Sequence, residues 1–406
     1  MSQGFNPSRR AILKAGLYAA GSSLMPGVAG AAQKIVLPIE NGERELVAYP
    51  EKRPLIVLTA RPPQLETPFA VFNEGVITPN DAFFVRYHLA SIPLSVDPQT
   101  YRIRIGGLVD RPLELSLQDL QTQFKPLEYL AVNQCSGNSR GFFNPRVNGG
   151  QLANGAMGNA KWTGVALRDV LSMAGIPAGA RQVAFDGLDR PVLDSPSDFV
   201  KALDIDHAMD GEVMIAYRMN DADLPMLNGY PVRLVVPGYY GTYWVKHLTD
   251  IRVLDGVYEG YWMKSAYRIP DNACHCVDPG TTPAKTVPIG RFTVRSFITS
   301  PAPGATIRAL RETVVRGIAF DSGQGIREVI FSEDGGKTWR EAQLGKDMGR
   351  HSFREWSIAV IPKKKGMLDL RARAFNRTGE SQPLTPLWQP AGYMRNVVES
   401  VKVNVV

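Results

Sequence analysis

Residues 127–145 read LEYLAVNQCSGNSRGFFNP. The first six are strand-like, and the chain then breaks into Asn, Ser, Gly and Arg around a lone cysteine, Cys135. A structural cysteine sits among apolar neighbours and is inert. This one sits where a backbone can bend closely around a ligand, and Arg140, five residues on, can stabilise a thiolate. The loop alone leaves two readings open, a functional thiolate and a buried bystander. Gly137-Asn138-Ser139-Arg140-Gly141 also matches G-x-S-x-G. That nucleophile elbow needs a strand running directly into it and a helix leaving it. Here the strand ends near Val132 and Pro145 blocks an immediate helix, so a serine hydrolase is rejected.

Outward from this loop, residues 50–277 mix helix and strand patterns. Ser116 is placed to cap a short helix over 117–124. Leu167, Val170, Leu171 and Ala174 fall at i, i+3, i+4 and i+7 with Gly175 beyond, which predicts an amphipathic helix closed by glycine. Strand-like runs occupy 127–132, 183–185, 213–217 and 232–236. VDPGTTPAKTVP at 277–288 has no periodicity and reads as a linker. The tail alternates apolar and polar residues: Leu368, Leu370, Ala372 and Ala374 are interleaved with Asp369, Arg371 and Arg373. Ile326, Val329 and Phe331 precede the turn at 333–336, and another turn follows at 376–379. Short strands with turns between them predict a β-sandwich.

At the other end, residues 8–14 read SRRAILK, followed by a short apolar stretch and Ala29-Gly30-Ala31. The stretch is too short and Gly-rich to span a bilayer. Twin arginines ahead of a small-x-small cleavage signal indicate Tat export over residues 1–31, and hence a periplasmic protein. That route carries folded proteins and suits an enzyme loaded with a complex cofactor before export. No other segment reaches spanning length.

The 406 residues are 44% hydrophobic and 21% charged, ordinary for a globular chain of about two domains. The net charge is +7, of which Arg9, Arg10 and Lys14 supply three. The rest is a mild excess scattered among acids, so nucleic acid is not an expected partner. Cys135, Cys274 and Cys276 are too few for a disulfide scaffold. Cys274-His275-Cys276 lacks the spacing of a zinc site and of a C-x-x-C-H haem attachment, and reads as a redox-sensitive loop. No H-E-x-x-H, P-loop or dinucleotide fingerprint occurs. FFVRYH at 83–88 places Arg86 and His88 on one side of a strand end. In NGYPVRLVVPGYYGTYWVKHL at 228–248, Arg233 and Lys246 bracket an apolar, aromatic-rich segment.

Together FFVRYH at 83–88, NQCSGNSRG at 133–141, FDGLD at 185–189, PVRLVVPG at 231–238 and SAYRIP at 265–270, in this order and spacing, resemble the sulfite oxidase family, in its bacterial sulfite dehydrogenase branch. FDSGQGIREVIFSEDGGKTW at 320–339 is similar to the family's Ig-like C-terminal domain. The resemblance covers essentially the whole mature chain. It implies an α+β molybdopterin-binding domain over 32–284, followed by an all-β Ig-like sandwich of dimerisation type over 285–406. It implies oxidation of sulfite to sulfate at one molybdenum held by a molybdopterin. Cys135 would be the protein's ligand to the metal, a soft donor suited to it. Arg86 and Arg140 would bind the oxyanion, with Tyr267 and His88 completing the catalytic set. Asp189, Asn228, Arg233, Trp244, Val245 and Lys246 would hold the pterin and its phosphate, with backbone groups of Phe84, Val85, Arg86, Tyr87 and His88 adding contacts. Asn228 stands where many relatives carry His, and Tyr87 where animal relatives carry Asn. With no haem motif in the chain, electrons would pass singly to a c-type cytochrome, either a tight subunit or a diffusing acceptor. A homodimer through the second domain is the alternative use of that surface. Rival readings are a related molybdenum enzyme acting on sulfane sulfur or sulfoxides, and an exported β-sandwich binding module. The sandwich tail disfavours the sulfoxide reductases, and the binding module leaves the Cys135 loop and the twin arginines unexplained.

Overall fold

The computed structural model describes residues 34–36, 43–47, 49–193 and 197–406. The expected export signal, 1–31, lies outside the described residues. Among the described residues the first domain is built from three larger sheets and one two-stranded pair. One runs from Lys34–Val36 through Leu55–Ala60 and Pro63–Glu66 to the two-residue strand Val85–Arg86. A second has the order Lys201–Asp204, Gln182–Asp186, Asp250–Leu254, Arg102–Gly107, Leu113–Ser116. The third pairs Pro126–Gln134 with Met157–Ala166 along the whole shorter strand, then Met214–Met219, which also carries Arg233–Val235.

Helices are few among the described residues. Leu117–Gln123 starts at Ser116, whose hydroxyl accepts from the Asp119 amide at 3.1 Å while its own amide donates to the Asp119 carboxylate at 2.8 Å. That reciprocal pair satisfies two end donors and explains the start. The helix stops at Gln123, one residue short of the reading, because Phe124 is already extended. Leu167–Ala174 buries Leu167, Val170, Leu171 and Ala174 as the periodicity predicts, and the Gly175 amide donates back to Leu171 at 3.0 Å. Each predicted strand forms: 127–132 lies within Pro126–Gln134, 183–185 within Gln182–Asp186, and the last two overlap Met214–Met219 and Arg233–Val235.

The linker reading is corrected at its end. Thr286–Pro288 pairs antiparallel with Arg268–Pro270, so the chain returns to the first domain before leaving it. Cys274 and Cys276 are joined by a disulfide within this excursion.

The second domain is all strand. Arg295–Ser300, Thr313–Phe320, Arg354–Val360 and Gln343–Leu344 form one sheet. Thr306–Ile307, Ser400–Val405, Gly366–Asn376, Ile326–Ser332 and Arg340–Glu341 form the other. Both sheets contribute to one apolar core, including Val315 and Trp356 from the first and Phe331, Leu370 and Val403 from the second.

The two domains are locked by polar contacts as well as by rings such as Phe69 against Phe297 at 5.5 Å. Arg295, 1% exposed, donates to the Ser139 hydroxyl at 2.6 Å and to the Glu399 carboxylate at 3.1 Å. Glu399 also accepts from Arg395 at 2.6 Å and from Asn154 at 2.8 Å. Removing the acid from such a buried cluster strands a guanidinium in low dielectric, at a cost of about 3–5 kcal/mol. We therefore expect Glu399→Ala to lower the urea midpoint by that order while Glu399→Gln, which keeps an acceptor, loses less. Equal midpoints for wild type and Glu399→Ala would refute the clamp.

Candidate active site

Segments distant in sequence converge on one buried pocket. Its walls include Phe84, Arg86, His88, Cys135, Asp189, Asn228, Arg233, Trp244, Val245, Lys246 and Tyr267. These residues arrive from strand ends and the short turns that follow them, because backbone there is free of ladder pairing and can point side chains inward. Cys135 follows the end of Pro126–Gln134, and its amide donates to Ala156 at 2.9 Å, so the neighbouring strand still steers it. It is buried and is not part of the disulfide.

His88 and Tyr267 are hydrogen-bonded through Nε2 and the phenol oxygen. The imidazole lies flat on Phe199 at 3.9 Å and edge-on to Trp262 at 5.0 Å. Burial, then the positive charges of Arg86, Lys246 and Lys201, push the His88 pKa well below its ordinary value. The ring is therefore neutral at physiological pH and can exchange a hydrogen bond with Tyr267 without adding charge. Burial likewise raises the Tyr267 phenol above its usual range. Tyr267 holds φ at +59°, a left-handed conformation uncommon for a bulky residue.

The opposite wall is cationic. Arg233 is buried, donating to the Asn228 carbonyl at 2.9 Å and the Trp244 carbonyl at 3.0 Å, with its guanidinium over the Trp162 and Trp244 rings. Burial lowers its pKa to about 9. The Lys246 ammonium donates to the Arg86 carbonyl at 2.6 Å and lies 3.7 Å from the centre of the Tyr87 ring. Burial lowers it to about 7, against the pull of Asp189, whose own carboxyl is raised by burial and held down by Lys246.

Three sequence-predicted residues do not line the pocket. Val85 and Tyr87 alternate outward from the strand into a small cluster with Leu55 and Leu65, and the Tyr87 hydroxyl meets His247 at 2.6 Å. Their neighbours' carbonyls are also occupied: that of Phe84 accepts from Asn228, and that of Arg86 from Lys246. Arg140 lies behind the pocket, donating to the Ala391 carbonyl at 3.2 Å. Asn228 lines the wall, but its amide oxygen accepts from the buried Lys52 and its nitrogen donates to Phe84. One amide hydrogen remains for a ligand.

Sequence reasoning missed several walls. Asn133 and Ser136 flank Cys135 and could have been found from the quoted loop. Phe199 lines the pocket while Trp262 and Lys201 pack against His88 and Tyr267 outside it; none carries a local signal, and all are recruited by folding alone. The Lys201 ammonium, from a residue with 0% exposure, donates to the Trp262 carbonyl at 2.7 Å and faces the Tyr243 and Tyr267 rings.

The pocket is tuned for a polar guest. Asn133 Oδ1, Ser136 Oγ, Thr242 Oγ1 and Arg233 Nε are buried without a protein partner, and all four residues line it. Buried polar groups are normally paired, so four orphans in one wall mark a ligand that supplies the partners. Both donors and acceptors are on offer, as a pterin with its phosphate requires. Among the described residues no group of three or more His, Cys, Asp or Glu could hold a metal. A metal at Cys135 therefore needs most of its ligands from the cofactor, which the two dithiolene sulfurs of a molybdopterin provide.

Fold and pocket together define a molybdopterin oxidoreductase. Residues 88–262 match the family described as "Oxidoreductase molybdopterin binding domain", and residues 286–406 match "Mo-co oxidoreductase dimerisation domain". The chain is 34% identical to sulfite oxidase of Gallus gallus, over 85% of this chain and 77% of that one. It is 29% identical to sulfite oxidase of Arabidopsis thaliana, over 79% and 84%. The sulfane dehydrogenase SoxCD of Paracoccus pantotrophus superposes with a TM-score of 0.72 at 25% identity, covering 98% of this chain and 96% of that one. The chain belongs to the sulfite oxidase family, and its cofactor is a molybdenum-bearing molybdopterin.

Lys201 offers a test of these electrostatics away from the cofactor. Its folded pKa, lowered by burial and then by Arg268 to about 7, lies below the ordinary 10.5. The folded state thus binds fewer protons between those values, and stability rises with pH across that window. Above about 10.5 the contribution is complete, and it is lost as pH falls through 7. Lys201→Met should flatten the rise in unfolding free energy from pH 7 to 10; an identical slope in both proteins would show that Lys201 is solvated.

Proposed function

We propose that this chain oxidises sulfite to sulfate in the periplasm and passes the electrons one at a time to a c-type cytochrome. The observation that carries the reading is the single buried pocket in which the Cys135 thiol is faced by Arg86, Arg233 and Lys246, with a neutral His88–Tyr267 pair beside it. Compact dianions are recognised by guanidinium forks. Arg86 lines the pocket and is partly exposed, so it can meet an anion entering from solvent. Arg140 stands behind it and adds positive potential at Tyr267.

The molybdopterin, when bound, supplies the two-electron redox chemistry and the oxygen transfer. The protein's residues do the remaining work. Cys135 donates the thiolate. Asn133, Ser136, Thr242, Arg233 and Lys246 would hold the pterin and its phosphate, pairing the orphaned polar atoms. Arg86 draws the anion in. The Tyr267 hydroxyl, kept protonated by burial and fixed by His88, orients the anion by a hydrogen bond.

Export is supported by the twin arginines and by the Cys274–Cys276 disulfide, since disulfides persist in oxidising compartments. No helix among the described residues is long and apolar enough to cross a membrane. The cytochrome acceptor is supported by the absence of a C-x-x-C-H motif from the sequence, which leaves electron removal to another protein. We read the second domain as an Ig-like sandwich that pairs two copies or seats the cytochrome; its match to a dimerisation domain supports the first use.

Oxidation of sulfane sulfur is the second reading, favoured by the full-length likeness to SoxCD. Sulfite-dependent reduction of ferricyanide by molybdenum-loaded protein separates the two, because the dye replaces the natural acceptor. Rapid reduction supports the sulfite reading; reduction only with a sulfane donor replaces it. In the same assay Cys135→Ser should fold yet lose both bound molybdenum and activity, and wild-type turnover would remove Cys135 as the ligand. Arg86→Gln should raise KM for sulfite well above any loss in kcat, whereas an unchanged KM takes Arg86 out of the anion site.

A further inference from the structure

The second domain reaches into the site. Residues 391–394 lie against the Cys135 loop, with the Met394 amide donating to the Ser136 carbonyl at 3.3 Å and the Ala391 carbonyl accepting from Arg140 at 3.2 Å. Tyr393, between them, stacks on Tyr267 with ring centres 5.3 Å apart and planes 11° off parallel. The Arg140 guanidinium lies 5.0 Å from the centre of the Tyr393 ring. One side chain of the second domain therefore touches both an expected anion-site arginine and the expected active-site tyrosine.

Of the two partners, Arg140 has the fewer other bonds. Arg140 threads a slot in which a Cβ on Gly137 or Gly149 would come within 2.8 Å of its guanidinium and one on Gly392 within 2.9 Å of its stem. The slot excludes neighbours but offers few bonds; besides Ala391, the guanidinium reaches the Gly150 carbonyl at 3.4 Å. Tyr267 carries left-handed backbone, which persists only where the surroundings over-determine it. His88 fixes its hydroxyl and Lys201 faces its ring at 5.3 Å. Tyr393 supplies the stacked surface, and beyond it lies an open cleft between the domains that includes His275, Arg291 and Arg395.

We propose that Tyr393 is a positioning residue for substrate binding: its ring stacks on Tyr267 and packs against the Arg140 guanidinium, so that the second domain sets the affinity of the anion site. This rests on the reading of Arg140 and Tyr267 as anion-site residues. It ties substrate affinity to the docking of the two domains, because Tyr393 belongs to the second domain, which Arg295–Ser139 and Asn154–Glu399 join to the first.

The test uses the molybdenum-loaded full chain, with rates expressed per bound molybdenum and with sulfate as a competing anion. Tyr393→Ala should raise KM for sulfite about tenfold and weaken sulfate inhibition to match, with kcat within about threefold of wild type. Tyr393→Leu, which fills space but removes the aromatic face that meets Tyr267 and Arg140, should also raise KM, by about fivefold. A merely structural role would lower molybdenum content or thermal stability and leave KM and sulfate inhibition alone; that result overturns the proposal. If the alanine variant does not load molybdenum, the leucine variant decides, and a wild-type KM there also overturns it. Arg140→Gln separates the two readings. A raised KM in that variant with none in either Tyr393 variant defeats only the positioning role, whereas an unchanged KM in all three defeats the anion site itself.

Discussion

Positive charge buried with too little negative charge to answer it is the constraint around which this molecule is organised. Lys52, Lys201, Arg233 and Lys246 are each almost wholly withdrawn from water, and burial pulls each pKa down. Their protein partners are mainly carbonyl oxygens and aromatic faces. Asp189 is the acid that faces Lys246 from within the pocket. Unpaired charge in a low dielectric is expensive. Such an arrangement is sustained where a guest brings the missing charge, and a phosphate-bearing pterin together with an anionic substrate does so.

The aromatic residues follow from that constraint. Trp162, Trp244, Tyr87, Tyr243 and Tyr267 present π faces to the buried cations at 3.7 to 5.7 Å. A ring face attracts a cation without bringing a formal charge that would compete with the guest. His88 is kept neutral by the same surroundings, so the pocket's charge comes from residues that hydrogen-bond as donors. The second domain then contributes rigidity: the Arg295–Glu399 pair holds Ser139 in the Cys135 loop and Asn154 ahead of the neighbouring strand. In this family member the second domain is thus part of the architecture of the site.

Much of the first domain was legible in the sequence for local reasons. A serine followed three residues later by Asp119 starts a helix, apolar residues at 3.6-residue spacing bury one face, and Gly175 closes it. The pocket was legible through short motifs, and eleven of the fourteen expected residues line it. Val85 and Tyr87 were included because they adjoin Arg86 and His88, yet strand alternation turns their side chains to the other face. The disulfide was missed because two cysteines one residue apart look like a loop feature until the backbone curls to bring them together.

What the sequence by itself determined is the local chemistry: which segments pair as strands, where helices begin and end, and that a cysteine loop, an Arg-x-His strand end and a basic aromatic stretch accompany one another in this family. Tertiary structure alone decided which of those groups lose their water and which meet. Phe199 under His88, Lys201 under Tyr267 and Tyr393 between Tyr267 and Arg140 have no periodicity or motif, since contacts between residues more than sixty positions apart leave no local pattern. Burial, and the pKa shifts that follow from it, belong to the packed structure for the same reason: desolvation depends on everything that surrounds a charge.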